Sequence, residues 1–502
     1  MKTQHRQVIP SLVATLLLGV ATGLQAQNGA VPLPDPKIPG FHFPEAEATI
    51  MNWVFTWTTN GSTLNLPPKE TLAATEKAFA NVHLHGWGIW TALTTETEQV
   101  FEGQKLRVFE TWPTPDDLIT AGAKPDGLKA FFALPPSRST PQSFRQFDHV
   151  KGTRGGVLKR GAGASFHGEE TVTGFVKYDP SAARHITEQG LLKKATLNAL
   201  MNAGANQVPA FPSTALALKP VFQTLTGLAG GRYYPLPVWT GPPSEPQAWP
   251  SEKWGNWVWI DIQNGGQGKG ETDKTGSADG SSRTDATTYP LSSFIHYKLD
   301  AAQASALNEA KASVLKKSGG TVARAPATAQ AGDYTVLVGM HVAGRETTRW
   351  TWQTFWWAPQ ADQPPLPSSP KIADLRPAQL QGAARHYAMA LAYSNLAPTD
   401  PYVGGANVGE SLYAYNPYLE AEFGPSILPD SIPGYDANGK VVANNVGVQT
   451  NCMSCHGAAN YTNGSIITAP AYSGDRYISL DDPRFRGTLQ VDFLWSLPGN
   501  AK

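Results

Sequence analysis

Only two cysteines occur in this 502-residue chain, and both stand in Cys452-Met453-Ser454-Cys455-His456. If one group claims both thiols, none is left for competing disulfides. Thiols three positions apart lie close on one turn of helix, where they can add to the two vinyl groups of a haem. The histidine that follows then projects beneath the ring, with its imidazole toward the iron. A buried or bridged C-x-x-C and a redox dithiol are the competing readings. The adjoining His456 weakens both, and the dithiol lacks a βαβ setting. The spacing therefore predicts one covalent haem c, with Cys452 and Cys455 bonded to it and His456 as proximal iron ligand.

The other end of the chain agrees. Lys2, His5 and Arg6 precede an apolar run from Val8 to Leu24, and Ala26 offers a small residue for cleavage before Gln27. Pro10, Ser11, Thr15 and Thr22 interrupt the run, so a secretory signal over 1–26 fits better than a membrane anchor. Haem c is attached outside the cytoplasm, so a periplasmic location is expected, with no membrane span in the mature chain. Lys+Arg and Asp+Glu both number 40, which leaves no basic field for nucleic acid. The expected partner is instead a redox protein or a small electron donor or acceptor.

Fourteen of the fifteen tryptophans lie between Trp53 and Trp357. That shift marks a boundary, and Pro364, Pro365 and Pro367 suggest an extended linker over 359–370. Before it, 27–358 reads as β-rich. Strands are expected at Thr49–Thr58, His83–Thr95, Leu106–Trp112, Val172–Tyr178, Ala215–Val221, Tyr233–Trp239, Asn256–Ile262 and Ser293–Leu299. A final pair, Tyr334–Val342 and Arg349–Trp357, turns at Gly344-Arg345. Helices are expected at Pro68–Ala80, Arg184–Met201 and Ala301–Lys317. After the linker, Lys371–Leu396 has the spacing of an amphipathic helix, and Gly487–Leu497 reads as a closing one. The predicted fold class is thus multidomain α+β: a sandwich-like β region, then a mainly helical domain over 371–502. The polar, glycine-rich run 264–288 lacks the Gly-Lys-Ser/Thr ending of a phosphate cradle and reads as a mobile surface loop.

A leading helix, Cys452-x-x-Cys455-His456 and a closing helix with aromatics resemble the c-type cytochromes over roughly 371–502. The resemblance implies a cytochrome c-like haem domain that transfers electrons. It also implies a proline carbonyl, from Pro470, that accepts the second imidazole N–H; a turn proline is the alternative. The segment Tyr334–Trp357, with Gly339-Met340-His341 and Trp350-Thr351-Trp352, is loosely similar to large single-haem bacterial cytochromes. The chain departs from the small cytochromes in one respect: no Met or His follows His456 in the remaining 46 residues. A sixth ligand would come from upstream, and the candidates are Met340, His341, His386 and Met389, with His296 more distant. Tyr461, Tyr472 or Tyr477 could instead cover an open face. Strand alternation sends Met340 and His341 to opposite sides, whereas His386 and Met389 would share a helix face.

Two other groupings carry possible chemistry. His83-Leu84-His85 would put two imidazoles on one strand face, a metal-like spacing with no third ligand nearby. The tryptophans are read first as core packing, then as a stacking platform, formed by Trp254, Trp257 and Trp259 or by Trp350 and Trp352, or as the lining of a haem edge. An exported single-haem cytochrome is the leading functional reading. A haem enzyme with an open distal face and a carbohydrate-binding β-module with an appended redox domain are the alternatives.

Overall fold

The computed structural model describes residues 29–58, 68–101, 103–122, 142–143, 172–243, 247–277, 279–318, 328–393, 402–403, 406–407, 414–421, 434–435, 441–442, 452, 456–462 and 483–502. The expected signal segment lies outside them, as do Cys455, Pro470, Tyr472 and Tyr477. Among the described residues no helix is long and apolar enough to cross a membrane.

The centre of the fold is an eight-stranded sheet. Its strands are β1 (Gln142–Ser143), β2 (Val172–Gly174), β3 (Lys177–Tyr178), β4 (Leu216–Thr224), β5 (His296–Lys298), β6 (Tyr334–Gly344), β7 (Thr351–Trp357) and β8 (Tyr387–Tyr393). They run in the order β8-β7-β6-β4-β2-β1, with β5 also on β6 and β3 also on β4, and every pairing is antiparallel. Alternation explains how one sheet serves two cores. Met340, Val342, Phe355, Trp357, Met389 and Leu391 bury into one, and Ala343, Trp352, Trp356, Ala388, Ala390 and Ala392 into the other.

Helices cover both faces. On the first lie α1 (Glu47–Thr58) and α2 (Pro68–Thr94), which supply Ile50, Val54, Val82, Trp87, Trp90 and Leu93 to the core. Trp90 stacks on Phe355 at 4.3 Å. The indole N–H groups of Trp87 and Trp90 donate to the carbonyls of Ile372 and Ala384, so these large rings are buried without orphaning a donor. On the second face lie α3 (Pro180–Glu188), α4 (Lys194–Asn202) and the C-terminal residues Leu489 to Leu497.

Mixed α+β therefore holds, while the layering differs from the sandwich expected. It is helices on sheet on helices, with a small three-stranded sheet of Tyr233–Pro237, Trp257–Asp261 and Thr288–Pro290 beside it. Thr49–Thr58 and His83–Thr95 are helical rather than extended. Arg184–Met201 is broken at Gly190 (φ +64°) into two helices. The expected helix at Lys371–Leu396 is instead two short turns, Pro370–Ala373 and Gly382–His386, followed by β8. Large Tyr387, Met389, Leu391 and Tyr393 alternate with alanines, a period of two that only a strand can sort onto two faces. Because β8 pairs with β7 at all seven positions, the sheet runs across the boundary expected at 359–370. That segment is itself packed down, with Leu366 O accepting from Trp239 Nε1 at 2.7 Å. Among the described residues, 371–502 is not mainly helical.

Gly88 shows how tightly α2 is seated. A Cβ there would stand 2.1 Å from the ring of Phe41, which is itself buried. Gly88→Ala is expected to destabilise by about 1–3 kcal/mol through overpacking, although alanine improves intrinsic helix propensity by ~1 kcal/mol. A thermal melt at or above that of the parent protein would show that Phe41 does not occupy this notch.

Candidate functional site

His456 lies against the second face of the sheet. Its ring packs on Trp352 of β7, with centroids 4.1 Å apart and a 40° tilt. Nδ1 is 2.7 Å from the carbonyl of Phe493. A carbonyl only accepts, so Nδ1 carries the proton and the lone pair is on Nε2. Nε2 has no hydrogen bond among the described residues. Burial pushes the imidazole down to about 4. The charges of His341 and Lys219 act in the same direction, against the Phe493 carbonyl and Glu420. The ring is therefore neutral at ordinary pH, the form that can ligate a metal. Cys452, half-buried, has Sγ 3.5 Å from Ala414 O.

The carbonyl that orients His456 stands on a strained turn. Asp492 (φ +46°) and Phe493 (φ +67°) are both left-handed without being glycine, a cost of about 1–3 kcal/mol each. The turn is held by Asp492, whose buried Oδ2 accepts from Arg345 Nε at 3.0 Å and from the Phe211 backbone N–H at 3.1 Å. Arg345 follows directly on β6 and also donates to Thr347 O at 2.6 Å. The closing helix expected over Gly487–Leu497 is replaced here by a short strand, Leu489–Gln490, this turn, and one helical turn at Ser496–Asn500.

Of the four upstream candidates, the sheet brings His341 to this face. It is paired across the ladders with Lys219 of β4 and Thr354 of β7. Its Nε2 is 2.7 Å from Glu420 Oε1, and both ring nitrogens are buried without completing a hydrogen bond among the described residues. Glu420 ends the turn Pro417–Glu420, capped by Asn416. The fully buried Asn416 is pinned to β7, its Nδ2 donating to Thr354 Oγ1 at 2.9 Å and to Phe355 O at 2.8 Å. Its backbone N–H donates to Glu420 Oε2. Gly339 makes this approach possible, since a Cβ there would be 2.7 Å from the Asn416 amide. Trp356 Nε1, on the same face, is also buried and unpartnered among the described residues.

The other candidates are elsewhere. Met340 and Met389 point into the opposite core and are fully buried there. His386 does not share a helix face with Met389: it ends a 3-10 turn while Met389 is mid-strand. Burial, with the charge of Arg376 beside it, lowers the pKa of His386. His296 sits on β5, bonded to Phe294 O, and the Tyr461 hydroxyl donates to Asn198 Oδ1 at 2.7 Å. His83 and His85 lie on α2, where residues two apart point different ways, and bond to Phe79 O and to Tyr393 and Glu346. Among the described residues no three His, Cys, Asp or Glu side chains converge as a metal cage.

The tryptophans are mainly core: Trp254, Trp259, Trp350 and Trp352 are buried, and Trp257 is half-buried. The expected surface loop at 264–288 is tied down through Asp273, which accepts from Trp259 Nε1 at 2.9 Å and from the Thr275 backbone N–H at 2.8 Å. Sequence reasoning missed Phe493, Asp492, Arg345, Glu420, Asn416 and Lys219 as parts of the site. Only Asn416-Pro417 carried a local signal, an Asn N-cap before a proline at the first helical position. Comparisons of the chain with protein-family models, with curated proteins and with solved structures returned no match.

Proposed function

We propose that the chain is an exported, single-haem c-type cytochrome that exchanges electrons with a redox partner in the periplasm. The observation that carries this reading is the setting of His456. It directly follows the C-x-x-C thiols, is held neutral, and has Nδ1 committed to a backbone carbonyl while Nε2 keeps its lone pair. Metal-ligating histidines are held in this way, with the bond at the far nitrogen fixing tautomer and orientation and raising basicity. The donor set of two thiols and one neutral imidazole fits haem c, and Cys452, Cys455 and His456 would hold it. When bound, the haem would supply one-electron exchange at its iron. The chain's own residues tune that site: the Phe493 carbonyl fixes the proximal ring, Trp352 shields one side of it from water, and the apolar second core keeps the surroundings dry. The region over 371–502 is cytochrome-like in its attachment motif, while its strand β8 belongs to the large sheet.

The test is maturation of the full chain in a host competent for c-type cytochromes, followed by acid-acetone extraction. Haem is expected to stay with the polypeptide, and Cys452→Ser with Cys455→Ser is expected to abolish that retention. A colourless product, or a tetrapyrrole that extraction removes from the parent protein, overturns the reading.

A further inference from the structure

We infer that His341, oriented by Glu420, is the second axial ligand of the iron, bound through Nδ1. This rests on the haem reading above and identifies the opposite side of the same site. Three observations carry it. First, His341 and the His456-packing Trp352 share one face of adjacent strands as diagonal neighbours, a separation of about 7–8 Å. Both imidazoles thus lie beside one aromatic side chain on the same face of the sheet. Second, His341 is oriented by a charge at one ring nitrogen, with Nε2 2.7 Å from Glu420 Oε1, which leaves Nδ1 for a metal. Third, that other nitrogen is buried without a hydrogen bond among the described residues. Leaving a buried polar atom unsatisfied is costly, and a bond to iron would remove the penalty.

The surrounding architecture is built to place this imidazole. Gly339 admits Asn416, Asn416 bonds to Thr354 and Phe355 across the strand, and its backbone N–H holds one Glu420 oxygen while the other faces His341. A surface pair would need none of this support. The sheet also excludes the methionines, since Met340 and Met389 emerge on the far side. On this assignment the sixth ligand comes from β6, more than a hundred residues upstream of His456. Two imidazoles in place of imidazole and thioether imply a reduction potential below that of a His/Met cytochrome, because Met/His ligation raises it. Glu420 is a positioning residue here, acting through His341.

The experiment uses the matured full-length protein and reads optical, EPR and near-infrared magnetic circular dichroism spectra of the ferric form. The parent protein is expected to be low-spin with a bis-imidazole signature and no sulfur–iron charge-transfer band. His341→Ala is expected to become high-spin and to bind azide promptly, and added imidazole is expected to restore the low-spin spectrum. Met340→Leu, Met389→Leu and His386→Ala are expected to leave it unchanged. Glu420→Gln is expected to stay low-spin with a raised potential, a readout that a merely structural role would not move. A high-spin parent protein, a thioether signature, or a low-spin spectrum that survives His341→Ala overturns the inference. Should His341→Ala fail to accumulate, the parent spectrum together with Glu420→Gln decides. Haem that resists acid-acetone while these spectra fail would sink only the axial assignment. Haem that is stripped sinks the reading beneath it.

Discussion

Replacing Glu346 by alanine is expected to destabilise the protein by about 2–4 kcal/mol, the cost of leaving two donors without their acceptor. Glu346 Oε1 is 3.0 Å from His85 Nε2, and their side chains are 0% and 2% exposed. The same oxygen accepts from the Glu45 backbone N–H at 2.8 Å. On the other side of the ring, His85 Nδ1 is 2.8 Å from the Tyr393 hydroxyl, which is 2.6 Å from Gln353 Nε2. Burial, and then the charge of Glu346, push the Tyr393 hydroxyl well above its ordinary value, so it remains a donor. The donors therefore run in one direction: Gln353 to Tyr393, Tyr393 to Nδ1, and Nε2–H to Glu346. Alanine would strand His85 Nε2–H among Phe41 and Trp53 and leave the Glu45 N–H without its acceptor. Glu346→Gln keeps an acceptor in place and is expected to cost only ~1 kcal/mol. The measurement is the denaturant midpoint at constant slope. An alanine cost below ~1 kcal/mol, the range of an exposed pair, would mean that this carboxyl is not sealed from water.

That network also shows what the sequence could and could not yield. The strands β6 and β7, and the turn between them, were legible because aromatic and β-branched residues alternate there and Gly344 marks the reversal. Ala301–Ser318 was legible through its alanine content. His83 to Thr95 was not, because its Trp, Ile and Thr content suggests a strand by propensity. Val82, Gly86, Ile89, Trp90 and Leu93 in fact recur at helical spacing. The core they reach, under β7 and β8, decided the outcome over local preference. The mirror error occurred at 387–393, where alanines suggest a helix although the large residues alternate with period two. Two long-range surfaces thus set these elements, and a reading of single segments had neither.

The site was legible in part for a related reason. Cys452, Cys455 and His456 are adjacent in sequence, so their chemistry is a local pattern, and strand alternation alone separated His341 from Met340. The groups that complete the setting come from distant segments: Phe493 and Asp492 from the C-terminal turn, Arg345 from the end of β6, Glu420 from a four-residue helix. Pro470 lies outside the described residues; the carbonyl at His456 Nδ1 is that of Phe493, whose left-handed backbone no residue preference would suggest. A non-glycine pair at positive φ is disfavoured locally. It is held by contacts made hundreds of residues away.

Removing that hold gives the second large effect. Asp492→Ala is expected to cost about 3–5 kcal/mol, because Arg345, 12% exposed, would lose its carboxylate and the Phe211 N–H would lose its acceptor. Alanine also has no side-chain oxygen to compensate for a φ of +46°. Asp492→Asn, which keeps an acceptor and tolerates left-handed backbone better, is expected to retain most of the stability. On the haem reading proposed above, the two substitutions should also separate at the iron. As the turn relaxes, the Phe493 carbonyl moves from His456 Nδ1, the proximal imidazole becomes a weaker donor, and the reduction potential rises. Spectroelectrochemistry of the matured variants, alongside denaturant titration, measures both effects. A folded Asp492→Ala protein with the parent midpoint and the parent potential would show that the turn keeps its strained shape without the Arg345 pair. Its stability would then have to come from the Leu494 and Leu497 contacts in the second core.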